Sequence, residues 1–130
     1  MKKLLLIFTL LFSTLVYSSP SFAKWTIVDK NAMGDTFYVD FDRIRKHDGY
    51  VYYWVLTDYL KPTHGDLSGT VYQQGDCKLF RYKVLSASFY KQPMGRGSGD
   101  NLEPPKKFQG WRYPSPTKIG ENILKSVCSN

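Results

Sequence analysis

Tyr50-Val51-Tyr52-Tyr53-Trp54-Val55-Leu56-Thr57-Asp58-Tyr59 is the stretch from which the fold is read. In an extended chain successive side chains point to opposite faces, so Tyr50, Tyr52, Trp54 and Leu56 share one side and Val51, Tyr53, Val55 and Thr57 the other. Both sides are largely apolar or aromatic, which places this strand near the centre of a sheet. One face should lie against the core and the other should be covered in part by a further element.

Reading toward the N-terminus, Trp25-Thr26-Ile27-Val28 is a first strand. Asn31 to Asp35 then supplies a turn into a second, Thr36 to Asp40. Asp40 or Asp42 is suited to cap a short turn in which Ile44 points inward, and His47-Asp48-Gly49 forms the next turn. Reading toward the C-terminus, Pro62, His64, Gly65 and Asp66 make a loop, Gly69 to Gln74 a strand and Gly75-Asp76 a bend. Cys77 to Tyr90 is a long strand or bent pair of strands. Its apolar residues switch parity, so a bulge or twist is expected near Arg81 to Val84. The glycines and prolines between Lys91 and Lys107 predict a long mobile loop without regular structure. Gln109 to Tyr113 returns as an edge element anchored by Trp111. Ser115 as N-cap with Pro116 at the first helical position starts a helix, whose Ile119, Ile123, Leu124 and Val127 recur at helical spacing. The predicted class is α+β: an antiparallel sheet of about five or six strands with a C-terminal α-helix packed on it.

The first 23 residues bear on the compartment. Lys2 and Lys3 precede an apolar run from Leu4 to Val16, and Ser21-Phe22-Ala23 has the small residues that a signal peptidase accepts. The run is shorter than the ~20 apolar residues a membrane span needs. A cleaved signal peptide at 1–23 is expected, followed by a single domain at 24–130. The product would be periplasmic or secreted. No cysteine lies near the cleavage point, so neither a lipid anchor nor any other stable membrane anchor is expected. The formal charge falls from +7 to +5 on cleavage, which favours anionic partners.

Cys77 and Cys128 are the two cysteines. In an oxidising compartment an even count argues for one disulfide, which would tie the helix end to the strand that Cys77 opens. They lack the paired spacing of a zinc site or a redox motif, so no metal or cofactor is expected.

Catalytic chemistry has little to stand on. His47 and His64 are the two histidines, each in a polar turn, and Asp40, Asp42 and Asp58 read as turn caps and strand ends. An enzyme would need a pocket gathering Asp40, Asp58 or His64. Met94-Gly95-Arg96-Gly97-Ser98-Gly99-Asp100 lacks the Lys-Ser/Thr of a phosphate-binding loop. Candidate binding residues are basic: Arg81 and Lys83, interleaved with Phe80 and Tyr82, and Lys91, Arg96, Lys106 and Lys107 around the Gly-rich loop. Basic and aromatic residues alternating on a strand also suit single-stranded nucleic acid, but export argues against that partner. Most of the strand tyrosines (Tyr50, Tyr52, Tyr53, Tyr59, Tyr72, Tyr82 and Tyr90) are expected to pack under the helix. Any surplus aromatic face, or an exposed sheet edge, is then open to a protein ligand or a second copy of the chain.

Trp25, Tyr38-Val39-Asp40, Val55 to Tyr59 after Trp54, Asp76-Cys77, Tyr90 before the Gly-rich loop, Trp111 followed by Pro114, and Val127-Cys128 occur in an order that resembles the surface-adhesin protein E family of Gram-negative bacteria. The resemblance spans nearly the whole of 24–130. It implies a small antiparallel sheet with a C-terminal helix tied across it by the disulfide. It also implies a non-enzymatic binding module that contacts host matrix or envelope proteins. The alternative is a periplasmic accessory or stress-related protein with no adhesin role.

Overall fold

The computed structural model describes residues 23–130, so all of the expected signal segment except Ala23 lies outside the described residues. Seven strands form one antiparallel sheet: β1 (Thr26–Lys30), β2 (Thr36–Val39), β3 (Arg45–His47), β4 (Tyr50–Thr63), β5 (Asp66–Asp76), β6 (Arg81–Tyr90) and β7 (Gly99–Leu102). Among the described residues one α-helix, α1 (Ile119–Cys128), follows. The strand order is β1-β2-β4-β5-β6-β7. β4 is long enough to carry two neighbours on one edge, β3 along Tyr50 to Tyr52 and β2 along Val55 to Asp58.

Local chemistry sets the turns. Asp48-Gly49 and His64-Gly65 each take positive φ at both residues, the requirement of a two-residue type I′ hairpin, and they join β3 to β4 and β4 to β5. In the turn between β1 and β2, Asn31 Oδ1 accepts from the backbone N–H of Met33 at 3.1 Å and of Asp35 at 2.9 Å. The Asp35 carboxylate reaches across to the Leu60 N–H at 3.0 Å and so ties that hairpin to β4.

The core lies between the sheet and α1. It consists of Val39, Val51, Tyr53, Val55, Ile123, Leu124 and Val127. Gly75 permits this approach: a Cβ there would lie 2.8 Å from Val51 Cγ2 and 3.1 Å from both Leu124 Cδ1 and Tyr53 Cε1. The disulfide between Cys77 and Cys128 closes the end of α1 onto the turn after β5. On the opposite face Leu56 is fully buried, in van der Waals reach of a 3₁₀ turn at Pro93–Gly95. Asp58 Oδ1 accepts from the Met94 N–H at 2.8 Å, and Ser68 Oγ accepts from the Gly95 N–H at 2.8 Å while donating to the Gln92 carbonyl at 2.6 Å. The central strand is therefore covered on both sides, by different elements.

Three expectations are corrected. The segment from Lys91 to Lys107 is not an unstructured loop, because Gly99–Leu102 pairs with β6 and Ser88 Oγ hydrogen-bonds Asn101 Oδ1. An open sheet edge orders whatever backbone can reach it, whatever the local propensity. The helix starts at Ile119, not at Ser115-Pro116; Thr117 takes φ 62°, and the Lys118 N–H closes a turn on the Ser115 carbonyl at 3.2 Å. Cys77 sits in the turn between β5 and β6, so it opens no strand. The bulge expected near Arg81 to Val84 is present, at Leu85, since Gln73 faces Val84 and Tyr72 faces Ser86. That single extra residue puts Tyr82 and Val84 on the same face as Ala87 and Phe89.

Tyr53 is fully buried and its hydroxyl has no hydrogen-bond partner among the described residues. Burial, and then the neighbouring Tyr82, push its phenol above the ordinary range. A buried polar atom without a partner costs stability. Tyr53→Phe is therefore expected to raise the unfolding free energy by about 1 kcal/mol, read as a higher denaturant midpoint with an unchanged slope. A lower midpoint would mean that the hydroxyl is satisfied in solution.

Candidate functional site

The sheet face turned away from α1 carries an aromatic row. Tyr52 stacks on Tyr72 with ring centroids 6.3 Å apart, Trp54 meets Tyr72 at 4.7 Å, and Tyr50 meets Trp111 at 5.5 Å. The register explains the row: Trp54 on β4 lies opposite Tyr72 on β5, and alternation puts Tyr50 and Tyr52 on the same side. All five rings are only part-buried.

Two cations lie over one end of the row. The Arg81 guanidinium is 4.3 Å and the Lys83 ammonium 4.5 Å from the Trp111 ring centroid. Arg81 and Lys83 alternate on β6 and so share a face. Trp111 is brought to them by a reciprocal backbone pair: the Tyr82 N–H donates to the Arg112 carbonyl at 2.9 Å, and the Arg112 N–H donates to the Tyr82 carbonyl at 2.8 Å. Contacts of this kind are worth about 0.5–2 kcal/mol each. Lys107 and Arg112 lie over Phe108, at 4.9 and 4.7 Å.

Asp76 sets the geometry of this end. Its side chain is 7 % exposed. It accepts from the Leu79 N–H at 3.1 Å, which closes the turn, and from Arg81 Nε at 2.9 Å, which aims the guanidinium. The Leu79 backbone hydrogen bond first, and then Arg81, hold the Asp76 carboxyl below the ordinary value of 3.8; the same ion pair raises Arg81 above its own. A folded-state value below the unfolded one means that this contribution is present above pH ~3.8 and is lost as pH falls through the folded value. Asp76→Asn is therefore expected to flatten the acid limb of the stability profile below about pH 4, measured as denaturant midpoint against pH. An unchanged limb would place the acid sensitivity elsewhere.

Of the basic residues singled out by sequence, the structure brings Arg81 and Lys83 together. Lys106 and Lys107 stand in a short 3₁₀ turn, Lys106–Phe108. Lys91 pairs with Asp66 at 2.9 Å, and Arg96 follows the Pro93–Gly95 turn, lining a shallow cleft with Trp25, Met94 and Gly95. The six therefore do not form one patch. Nor do the strand tyrosines pack mainly under the helix: Tyr53 and Tyr82 do, whereas Tyr50, Tyr52 and Tyr72 form the opposite face. The rings that define this face, Trp54 and Tyr72 with Trp111, were missed as a group. Parity placed Trp54 beside Tyr50 and Tyr52, but nothing local tied residue 111 to them.

The carboxylates and histidines weighed for catalysis have other occupations. Asp40 is 1 % exposed and pairs with Arg43 Nε at 3.2 Å, Asp58 holds the Met94 N–H, His64 forms a hairpin turn, and His47 pairs with Asp48 at 3.1 Å. No three His, Cys, Asp or Glu side chains among the described residues are grouped to hold a metal ion. No helix among them is long and apolar enough to cross a membrane.

Three crystal structures of Haemophilus influenzae protein E share this fold. Crystal form II matches with a TM-score of 0.62 at 17 % identity, over 85 % of this chain and 92 % of that one. The selenomethionine form gives 0.62 at 18 % identity, over 87 % and 93 %. Protein E from a non-typeable strain gives 0.57 at 18 % identity, over 85 % and 80 %. No curated protein matches the sequence. The family model of surface-adhesin protein E matches residues 25–129. That match takes in every strand, the aromatic row, both cysteines and α1, and by it the chain belongs to the surface-adhesin protein E family.

Proposed function

We propose that this chain is an exported, non-enzymatic adhesin module that holds a protein ligand against the aromatic and basic face of its sheet. The observation that carries the reading is the pairing of Arg81 and Lys83 over Trp111, at the end of a part-exposed row of Tyr50, Tyr52, Tyr72 and Trp54. Tyr, Trp and Arg dominate the energetic centres of protein interfaces, because they bury large rigid surfaces while keeping a polar or charged handle. The cations select for acidic partners. Family membership supports adhesion as the coarse role, and a host matrix protein, or an envelope protein on the cell itself, is the class of ligand. Lys91 and Arg96 belong to a separate part of the surface.

The test is binding of the mature chain to immobilised matrix proteins, with Trp54→Ala and Tyr72→Ala combined. The variant is expected to lose about thirtyfold in affinity, the ~2 kcal/mol of an interface hot spot, while its unfolding midpoint moves far less than that of a core variant. Full retention of binding would sink the reading. External protease on intact producing cells checks the location: loss of the protein beside an intact periplasmic control supports adhesion, and protection until the outer membrane is opened supports the periplasmic accessory alternative.

A further inference from the structure

Asp40 is a charged group held almost wholly out of solvent. Its side chain is 1 % exposed. Oδ2 receives Arg43 Nε at 3.2 Å and the backbone N–H of Lys24 at 3.3 Å. Oδ1, also buried, has no hydrogen-bond partner among the described residues. A buried carboxylate with one oxygen unsatisfied is costly, and proteins retain such groups where something completes them.

The position of Lys24 supplies the completion. Ser21-Phe22-Ala23 precedes it, and the backbone nitrogen that reaches Asp40 is that of the Ala23–Lys24 peptide bond. We propose that Asp40 is a built receptor for the mature N-terminus: cleavage between Ala23 and Lys24 converts a weak amide donor into an α-ammonium that pairs with the buried carboxylate. The chemistry balances with water as co-reactant and a signal peptidase as catalyst. The C–N bond is hydrolysed, the carboxylate leaves on Ala23, and the nitrogen keeps its hydrogen and gains two more. A free α-amine ordinarily titrates at about 7.7–8.0, so it is already largely protonated at pH 7. Three N–H donors on one nitrogen can serve Oδ1 as well as Oδ2, which the single amide hydrogen cannot. The neighbouring charges suit this arrangement. Lys24 Nζ is drawn aside to the exposed Asp42 at 3.5 Å, leaving the α-nitrogen to Asp40, and Asp40 follows directly on β2, the strand paired with β1. Processing would thereby fix the start of β1 to the end of β2 with a part-buried ion pair, so that the exported chain is more stable than any form extended past Lys24.

The test compares two chains, the exported product starting at Lys24 and one starting at Ala23, each with Asp40 and with Asp40→Asn. With Asp40 the chain starting at Lys24 is expected to have an unfolding equilibrium constant roughly ten- to a hundredfold lower, the span of a hydrogen bond to a charged group. With Asp40→Asn the two starts are expected to be equally stable. Equal stability of the two starts with Asp40 present would overturn the proposal, as would a difference that survives Asp40→Asn or an exported product beginning elsewhere. If the Asp40→Asn chains do not fold, amine labelling decides: the α-amine of the folded product should react near neutral pH much more slowly than in the denatured chain, and equal rates would overturn the proposal.

Discussion

A chain carrying Cys77→Ala and Cys128→Ala is expected to lose about 4 kcal/mol of unfolding free energy. The two cysteines are 51 residues apart, and their bond closes a loop that takes in β6, β7 and the whole approach to α1. In the unfolded chain that closure removes conformational freedom, which the chain-entropy model converts to about 4 kcal/mol for a loop of this size. For a domain whose total stability is of order 5–15 kcal/mol, that is a large share. Denaturant unfolding of the oxidised chain beside the double variant reads the effect. The slope is also expected to rise, because the unlinked unfolded chain exposes more surface. An unchanged midpoint would mean that the crosslink strains the folded state by as much as it restrains the unfolded one.

Leu124→Ala is expected to cost about 3 kcal/mol. Leu124 is fully buried, and its Cδ1 would lie 3.1 Å from a Cβ placed at Gly75, so α1 and β5 leave no slack between them. Truncation removes the transfer energy of three carbons and opens a cavity that close-packed neighbours refill only in part. Thermal or denaturant unfolding measures it. A loss below about 1 kcal/mol would show that α1 shifts to fill the space. Because Leu124 and Cys128 hold the same helix, the two changes are expected to be non-additive: with the disulfide gone, α1 can relax and part of the Leu124 penalty is recovered. Neither change touches the aromatic row, so a correctly folded Leu124→Ala chain should still bind the partner that the Trp54/Tyr72 variant loses.

Much of the architecture is legible along the chain because it depends on neighbours in sequence. Alternation at Tyr50 to Tyr59 gave the central strand and its two covered faces. His47-Asp48-Gly49 marked a turn and Pro62 to Asp66 a loop, which the structure tightens into two-residue hairpins, and the recurrence of Ile119, Ile123, Leu124 and Val127 gave the helix and its buried side. The pairing of Cys77 with Cys128 follows from a count of two in an oxidising compartment, and it is present. The failures are equally local in cause. Proline and glycine between residues 91 and 107 argue against regular structure, yet β7 forms because β6 offers an unpaired edge. Ser115-Pro116 has the chemistry of a helix start, yet the chain spends those residues on a turn.

The candidate site lay on the other side of that boundary. Arg81 and Lys83 stood out as basic residues among aromatics, and Trp111 as an anchor, but the strand tyrosines were assigned to the core. By its own pattern, then, the sequence determined the long central strands, the turns between them and the apolar side of the helix, which rest on backbone preference or spacing within a few residues, while the crosslink follows from the cysteine count. Tertiary structure alone decided which sheet face α1 covers, that Trp111 lies beneath two cations of β6, and that the Lys24 nitrogen meets a buried Asp40. Those facts are contacts between residues far apart in the chain, and they come into being only when the sheet closes and burial sets the energy of each charge it encloses.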